Sequence, residues 1–393
     1  MPNHDPYQFQ EKTHIELRAD TYTLPSPEMR KAMYEAEVGN DGFGEDPTVN
    51  KLENLTAELF NKESAVFVSS GIMGNFLSIL SHCQRGDQII IGNKSHINTN
   101  ELGGFATLGG VFPCIVENDS RGLLNLEQVK AEISPFPEPE NGVIEAWEYE
   151  HVAPTKLIAI ENTHNSCGGR ALSISDINQI KQIASKNNIP IHLDGARIFN
   201  AAIALENTVE ELTKDVDSVQ FCLSKGLGAP VGSLVLGEKD FTQKVRKWRK
   251  TIGGTTRQAG ILAAAGIVAL EMVSNTKFNL HADMMASRLK DGLNHLLGTM
   301  EIPGCCSGVA SMIHLRIGKA HECDKEICNL TGEELDEISS LPIANPLRLA
   351  LFNAGVDASN CSLVSAVHKP QDIDHTINAY ERAFIKLREE DVL

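Results

Sequence analysis

The sequence predicts an α/β fold: a mainly parallel sheet covered by helices on both faces, joined to a smaller C-terminal α/β unit. Three observations lead there. Short β-rich runs alternate with amphipathic helical stretches over most of the chain, the pattern of strand–helix–strand units. The runs are near-continuously apolar rather than alternating, as strands buried on both faces must be. The chain has 393 residues, which at about 150 per domain suggests two units.

In chain order, residues 65–68, 88–91, 111–116, 157–160, 191–193, 219–223 and 234–236 read as buried strands. Residues 174–187 read as a covering helix, with Ser175 and Asp176 as cap candidates and Ile177, Ile180, Ile183 and Ala184 at helical spacing. Residues 134–149 hold three prolines and four glutamates and read as a solvent-exposed insertion. An Ala-rich helical region runs from 258 to about 297. After it come a strand at 311–317, a charged segment to 340, a further run at 346–352 and a closing helix at 371–387. The expected units are residues 1–270, a large domain with an N-terminal arm, and 271–393, a small domain.

Asp and Glu outnumber Lys and Arg by 52 to 35, leaving a net charge of −17. That balance opposes nucleic acid, whose backbone is bound by Lys and Arg, and an anionic membrane surface. No run of about 18 apolar residues suggests a membrane span. The first twelve residues show no charged-then-apolar signal pattern. Nine cysteines, an odd count with no C-x-x-C pair, read as reduced thiols in a cytoplasmic protein. The basic run Lys244-Val-Arg-Lys-Trp-Arg-Lys250 reads as a solvated helix face leading to Arg257.

The common nucleotide fingerprints do not fit. Residues 226–232 have the wrong spacing for G-x-G-x-x-G, and there is no P-loop motif. Instead, Ser69-Ser-Gly-Ile-Met-Gly-Asn75 joins a strand to an apolar helix, where backbone N–H groups suit a phosphate. Ile191-His-Leu-Asp194-Gly-Ala-Arg197 ends an apolar strand in a carboxylate, which is costly without a cationic partner. Phe221-Cys-Leu-Ser-Lys225-Gly-Leu-Gly228 tips another with a lysine, a usable nucleophile in an apolar pocket and otherwise a snorkelling surface residue. His96 follows the run 88–91, and Glu161-Asn-Thr-His164-Asn165 follows 157–160. His192 and Asp194 share a strand face, but no third ligand stands near them and no metal is expected. Ligands gather at the carboxyl ends of parallel strands. An anion cradle, a flat ring, an acid and an amine on one rim are what pyridoxal phosphate requires.

These segments, with Leu17-Arg-Ala-Asp-Thr21, Gly42-Phe-Gly-Glu-Asp-Pro-Thr48, Trp248-Arg-Lys250 and Gly253-Gly-Thr-Thr-Arg257-Gln-Ala-Gly260, carry a resemblance. From about Ile15 to near the C-terminus, the chain resembles the threonine aldolases of the beta-eliminating lyase group. These are pyridoxal-phosphate enzymes of the aspartate-aminotransferase fold type (fold type I). The resemblance implies that Lys225 forms the Schiff base, Asp194 pairs with the pyridine nitrogen and His96 stacks on the ring. The backbone of Gly71 and Ile72 would bind the phosphate, with Arg257 reaching it from a neighbouring subunit. Arg197, beside the cofactor, and Arg348, in Asn345-Pro-Leu-Arg-Leu, would hold the substrate carboxylate. His151 aligns with a second histidine near the substrate hydroxyl. The implied reaction cleaves L-threonine, L-allo-threonine or a related β-hydroxy-α-amino acid to glycine and an aldehyde. The implied assembly is a homo-oligomer, a dimer with shared sites and, by the family, a tetramer. His96, His151 and a bound water all stay open as the base for the β-hydroxyl.

The chain departs from the family pattern at several positions. Ala19 stands where a serine would touch the substrate carboxylate, and Ile72 where a threonine is usual in the phosphate turn. Phe43 replaces a tyrosine, and Thr99 and Asn100 follow His96 where bulkier residues are usual. Each lost neutral hydrogen bond costs about 0.5–1.5 kcal/mol. Two further readings therefore stand beside the first. One keeps the cofactor but changes the substrate or reaction, with Cys167 as a nucleophile if the reaction were desulfuration. The other is a fold-retaining binding protein with little aldolase activity.

Overall fold

The computed structural model describes residues 14–134, 151–274, 276–319, 321, 328, 330, 334, 337, 338, 341–358 and 361–393. The insertion expected at 134–149 lies, apart from Ser134, outside the described residues.

Twelve strands are described. β1 (Ile15–Glu16) precedes β2 (Ser64–Val68), β3 (Gln88–Gly92), β4 (Phe112–Val116), β5 (Thr155–Glu161), β6 (Ile191–Asp194), β7 (Ser218–Cys222) and β8 (Ser233–Gly237). β9 (Gly304–Ser307), β10 (Met312–Ile317), β11 (Val356–Asp357) and β12 (Cys361–Leu363) follow. The main sheet has the order β2-β8-β7-β6-β5-β3-β4. β3 to β7 pair in parallel, while β8 runs antiparallel to both β7 and β2. Six strands thus point one way, and the carboxyl ends of β2, β3, β5, β6 and β7 share one rim.

Successive strand residues point to opposite faces, and here both faces are buried. Ile90, Ile158 and Ile160 join one apolar cluster, while Ile89, Ile91, Leu157 and Ala159 join another. Burial on two sides explains why the strands read as continuous apolar runs. The helix Ile174–Lys186 is capped by Ser173, not Ser175: Ser173 Oγ accepts from the Asp176 N–H, and Asp176 accepts from the Ser173 N–H. The Ala-rich region forms two helices, Gly260–Ser274 and Thr276–Thr299. The small residues of the first, Gly260, Ala263, Ala264 and Gly266, let it pack closely against the helices Pro27–Glu35 and Pro47–Leu59.

The C-terminal body is an antiparallel sheet of order β12-β10-β9, packed by the helix Thr276–Thr299, on which the helix Pro370–Glu389 lies in turn. Residues 346–352 lie in the helix Ala344–Asn353. The N-terminal segment belongs to this body's core. β1 pairs in parallel with β11, Leu17 is fully buried there, and the Leu17 carbonyl accepts from the Leu363 N–H at 3.0 Å.

Two expectations need correction. The basic run lies in the helix Lys239–Thr251 but is not wholly solvated. Arg249 is buried, donating to the Phe67 carbonyl at 2.6 Å and pairing with Asp41 at 3.1 Å, while Arg246 pairs with Glu53. The helix lies over β2, so its inward cations end on carbonyls and carboxylates there. The cysteines are not all reduced either: six of those described are free thiols, but Cys305 is disulfide-bonded. Spacing along the sequence did not reveal that proximity in space. Among the described residues, no helix is long and apolar enough to cross a membrane.

Leu17→Ala should lower the unfolding free energy by about 2–5 kcal/mol, as for other fully buried leucines. Urea denaturation measures this, and an unchanged midpoint would show that the N-terminal segment does not hold the C-terminal body.

Candidate active site

At the end of β6, Asp194 is 2% exposed. Asn75 Nδ2 donates to its Oδ2 at 2.8 Å, Gln220 Nε2 to its Oδ1 at 3.0 Å and the Ala196 N–H to the same oxygen at 3.1 Å. Burial opposes ionisation, but Lys225, His96 and the two amide donors outweigh it and hold the carboxyl below the usual aspartate range. Asn75 comes from the helix Gly71–His82 and Gln220 from β7, so three elements fix one carboxylate. Behind it, His192 meets Asn75 Oδ1 at 3.1 Å and Ser218 Oγ at 2.9 Å. Burial pushes its imidazole down to about 4, so it is neutral there. This hydrogen-bonded position explains His192 without a metal.

His96 opens a short helix after β3. Its N–H donates to Glu161 Oε2 at 2.7 Å, and its Nδ1 meets Glu101 Oε1 at 2.8 Å. That bond to Glu101 raises His96 above the ordinary imidazole value, and burial raises Glu101. Asn75 Nδ2 also donates to Glu101 at 2.8 Å, so one amide bridges Glu101 and Asp194. Glu161 binds the Asn165 N–H at 2.9 Å with its other oxygen.

Lys225 lies just beyond β7, half-buried, close enough to act electrostatically on Asp194, Asp20 and His96. Gly228, at φ +80°, closes the turn by donating to the Lys225 carbonyl at 2.9 Å. Asp20 accepts the Gly226 N–H at 3.2 Å and grips Arg197 with two bonds, 2.7 and 2.8 Å long. Burial opposes ionised Asp20, but Arg197 and then Lys225 hold it below its usual range.

The phosphate turn starts the helix Gly71–His82. Ser70 Oγ caps it, accepting from the Met73 N–H at 3.2 Å, so Gly71 and Ile72 stand in the first turn, where a helix supplies no acceptor of its own. A Cβ on Gly71 would lie 2.7 Å from Cys222 Sγ, so glycine is what lets this helix start approach β7. Ile72 is 48% exposed at that start.

The remaining expected residues are spread more widely. Arg348 is exposed, its Nε 3.9 Å from Asp357, which also pairs with Arg18 at 3.0 Å. Ala19 lines a cavity of about 580 Å3 with Glu16, Tyr22 and His368. Arg257 is exposed, donating to the Thr256 carbonyl. His151 is exposed ahead of the amino end of β5, whereas Glu161 and its neighbours stand at the carboxyl end; it joins none of these hydrogen bonds. Cys167 is buried, and burial pushes its thiol up to about 12, which argues against a nucleophilic cysteine. The rim therefore brings together Lys225, Asp194, His96, Arg197 and the Gly71–Ile72 turn. Asn75, Glu101, Gln220 and Asp20 join them without having been singled out from the sequence. Asp20 stood in a quoted motif, and Asn75 closed another.

The sequence profile of the beta-eliminating lyase family matches residues 16–304. The chain belongs to that family. This family member is 44% identical over 285 residues to low-specificity L-threonine aldolase 1 of Arabidopsis thaliana, a match covering 72% of this chain and 76% of that protein. It is 43% identical over 257 residues to the low specificity L-threonine aldolase of Escherichia coli O157:H7, covering 65% and 73%. An uncharacterized protein of Caenorhabditis elegans is 47% identical over 267 residues; there the match spans 67% of this chain but 62% of the relative's length. Among solved structures, threonine aldolase of Leishmania major superposes with a TM-score of 0.70 at 17% identity, covering 94% of this chain and 99% of the other. A serine palmitoyltransferase from S. paucimobilis gives 0.68 at 16%, covering 95% and 88%. These likenesses establish the fold as that of the fold type I pyridoxal-phosphate enzymes.

Replacing Glu101 by Gln removes the carboxylate that favours protonated His96, so the His96 pKa should fall towards its ordinary value of about 6.5. An NMR titration of the histidine ring reads this directly; a pKa that stays put or rises would contradict the assignment.

Proposed function

We propose that this beta-eliminating lyase family member is a pyridoxal-phosphate-dependent aldolase. It cleaves L-threonine, L-allo-threonine or a related β-hydroxy-α-amino acid to glycine and an aldehyde. The observation that carries this reading is a buried, ionised Asp194 on the same rim as the Lys225 amine and a helix start at Gly71 and Ile72. That donor set fits the cofactor: an acid for a cationic ring nitrogen, an amine for its aldehyde and N–H groups for its phosphate. When bound, pyridoxal phosphate supplies the sink for the electron pair freed as the Cα–Cβ bond breaks.

The chain's own residues do the rest. Lys225 would hold the cofactor through its amine. Asp194 keeps the ring nitrogen protonated, and Asn75 and Gln220 keep Asp194 ionised. His96, held by Glu101, would pack on the ring. The Gly71 and Ile72 N–H groups take the phosphate. Arg197 presents its guanidinium to the substrate carboxylate while Asp20 occupies its other edge, and Arg348 is the second arginine. The bond to Glu101 raises His96 above the ordinary imidazole value, and His96, His151 or a bound water would take the β-hydroxyl proton.

Arg257 and His151 are both exposed and outside the cluster, which supports a homo-oligomer whose sites are completed by a second copy. We assign it as at least a dimer, a tetramer by family likeness, and as cytoplasmic. Residues 1–270 and 271–393 act as large and small domains, bridged by the N-terminal segment. A second reading concerns the substrate alone. Ala19 and Ile72 depart from the family pattern, which favours a family member with a shifted substrate preference.

Purified protein with pyridoxal phosphate should show a visible band that borohydride removes, and should release acetaldehyde and glycine from threonine or allo-threonine. Lys225→Ala should lose both band and activity. A wild-type band without aldehyde from either isomer would remove the aldolase reading. Greater kcat/KM for β-phenylserine than for threonine would support the second reading. Arg197→Lys should raise KM about tenfold to a hundredfold, from the loss of a bidentate charged hydrogen bond of roughly 1.5–3 kcal/mol. An unchanged KM would remove Arg197 from the substrate. Mixing Lys225→Ala with Arg257→Ala chains should restore part of the activity, and no recovery would argue against sites shared through Arg257.

A further inference from the structure

The basic helix Lys239–Thr251 carries near its end a buried cation that the proposed reaction does not use. Arg249 is 3% exposed and its partner Asp41 5%. A buried ion pair adds little net stability, because desolvating two charges offsets their attraction. An apolar pair would fill the same space without that cost. It could not, however, hold the surrounding carbonyls, hydroxyl and N–H groups in one arrangement.

Arg249 and Asp41 do hold them. Arg249 Nη1 donates to the Phe67 carbonyl at 2.6 Å, in the strand that leads to the chain's own Gly71–Ile72 turn. Its Nη2 reaches Asp41 at 3.1 Å, and its own carbonyl accepts the Gly254 N–H at 2.8 Å. Asp41 accepts from Thr256 Oγ1 at 2.7 Å, and the Asp41 N–H donates to the Arg257 carbonyl at 3.1 Å. Gly254 packs so closely that a Cβ there would lie 2.9 Å from Met73 Cε and 3.3 Å from Arg249 Cγ. Residues 254–257 are thus fixed on their inner side. Arg257 itself is exposed, its Nη1 donating to the Thr256 carbonyl at 3.3 Å. A rigid base beneath an exposed arginine reduces the freedom lost when that arginine binds.

We propose that Arg249, acting through Asp41 and Thr256, is a positioning residue for Arg257, setting it for the cofactor phosphate held by a second copy of the chain. The proposal rests on the reading above that sites are shared through Arg257. One end of this clamp grips the strand before a chain's own phosphate turn, and the other presents an arginine to the second copy.

The test mixes full-length chains so that only one kind of site is complete. Lys225→Ala chains supply Arg257, and Arg257→Ala chains supply Lys225. Pyridoxal phosphate is titrated, and its affinity is read from the borohydride-sensitive visible band, to which Lys225→Ala chains do not contribute. Thr256→Val removes the hydroxyl bond to Asp41 and leaves the buried ion pair in place. In the Lys225→Ala chain it should weaken the tight binding component about three- to tenfold, as for one lost hydrogen bond. In the Arg257→Ala chain it should change nothing, and Thr256→Ser in either chain should bind as the parent mixture does. Arg249→Lys keeps the charge but cannot fork between Phe67 and Asp41, so it should follow the pattern of Thr256→Val. Equal weakening from both placements, or none from either, in a mixture that still binds tightly would overturn the clamp and leave shared sites standing. A parent mixture that recovers neither tight binding nor threonine cleavage would overturn both. Thr256→Val decides even if Arg249→Lys fails to fold.

Discussion

Removing an ionised carboxylate from water costs several kcal/mol unless neighbours replace its solvation, and Asp194 is such a group. Its position at the end of a central parallel strand leaves little room for water, so protein donors must do the work. Asn75, Gln220 and the Ala196 N–H supply three hydrogen bonds, and Lys225 and His96 supply positive charge. Each donor comes from a part of the chain the sheet must place correctly. The helix after β2 has to lie against β7 closely enough for Asn75 to reach, which is why glycine stands at its first position.

The same logic extends outward as alternating charge. Asp20 neutralises Arg197, and Glu101 pairs with His96, while Asn75 ties Glu101 to Asp194. His192, by contrast, is kept neutral so that the shell behind Asp194 stays hydrogen-bonded without added charge. A chain at −17 can present positive groups to an anionic ligand because a few cations are placed where carboxylates orient them. Arg197 shows the trade: its geometry is fixed by Asp20, and that pairing also weakens its field towards anything else.

The sheet and its rim were legible in the sequence because strands buried on both faces leave continuous apolar runs, and because chemistry-bearing residues followed those runs at their carboxyl ends. Lys225, Asp194 and His96 were visible this way. Asn75, Gln220 and Glu101 were not, since an amide or acid on a helix, strand or loop has no sequence signal until the fold brings it to Asp194. Pairing between β1 and β11 was equally invisible, depending on contacts more than 300 residues apart. The disulfide at Cys305 and the buried end of Arg249 were misread for the same reason. Composition describes what residues are available and not which of them meet.

The most direct measurement is the 15N chemical shift of the pyridine nitrogen in protein loaded with isotopically labelled pyridoxal phosphate at neutral pH. A buried, ionised Asp194 predicts the shift of a protonated ring nitrogen, moving to that of a neutral pyridine in Asp194→Ala. A neutral-pyridine shift in the wild-type protein would contradict the account.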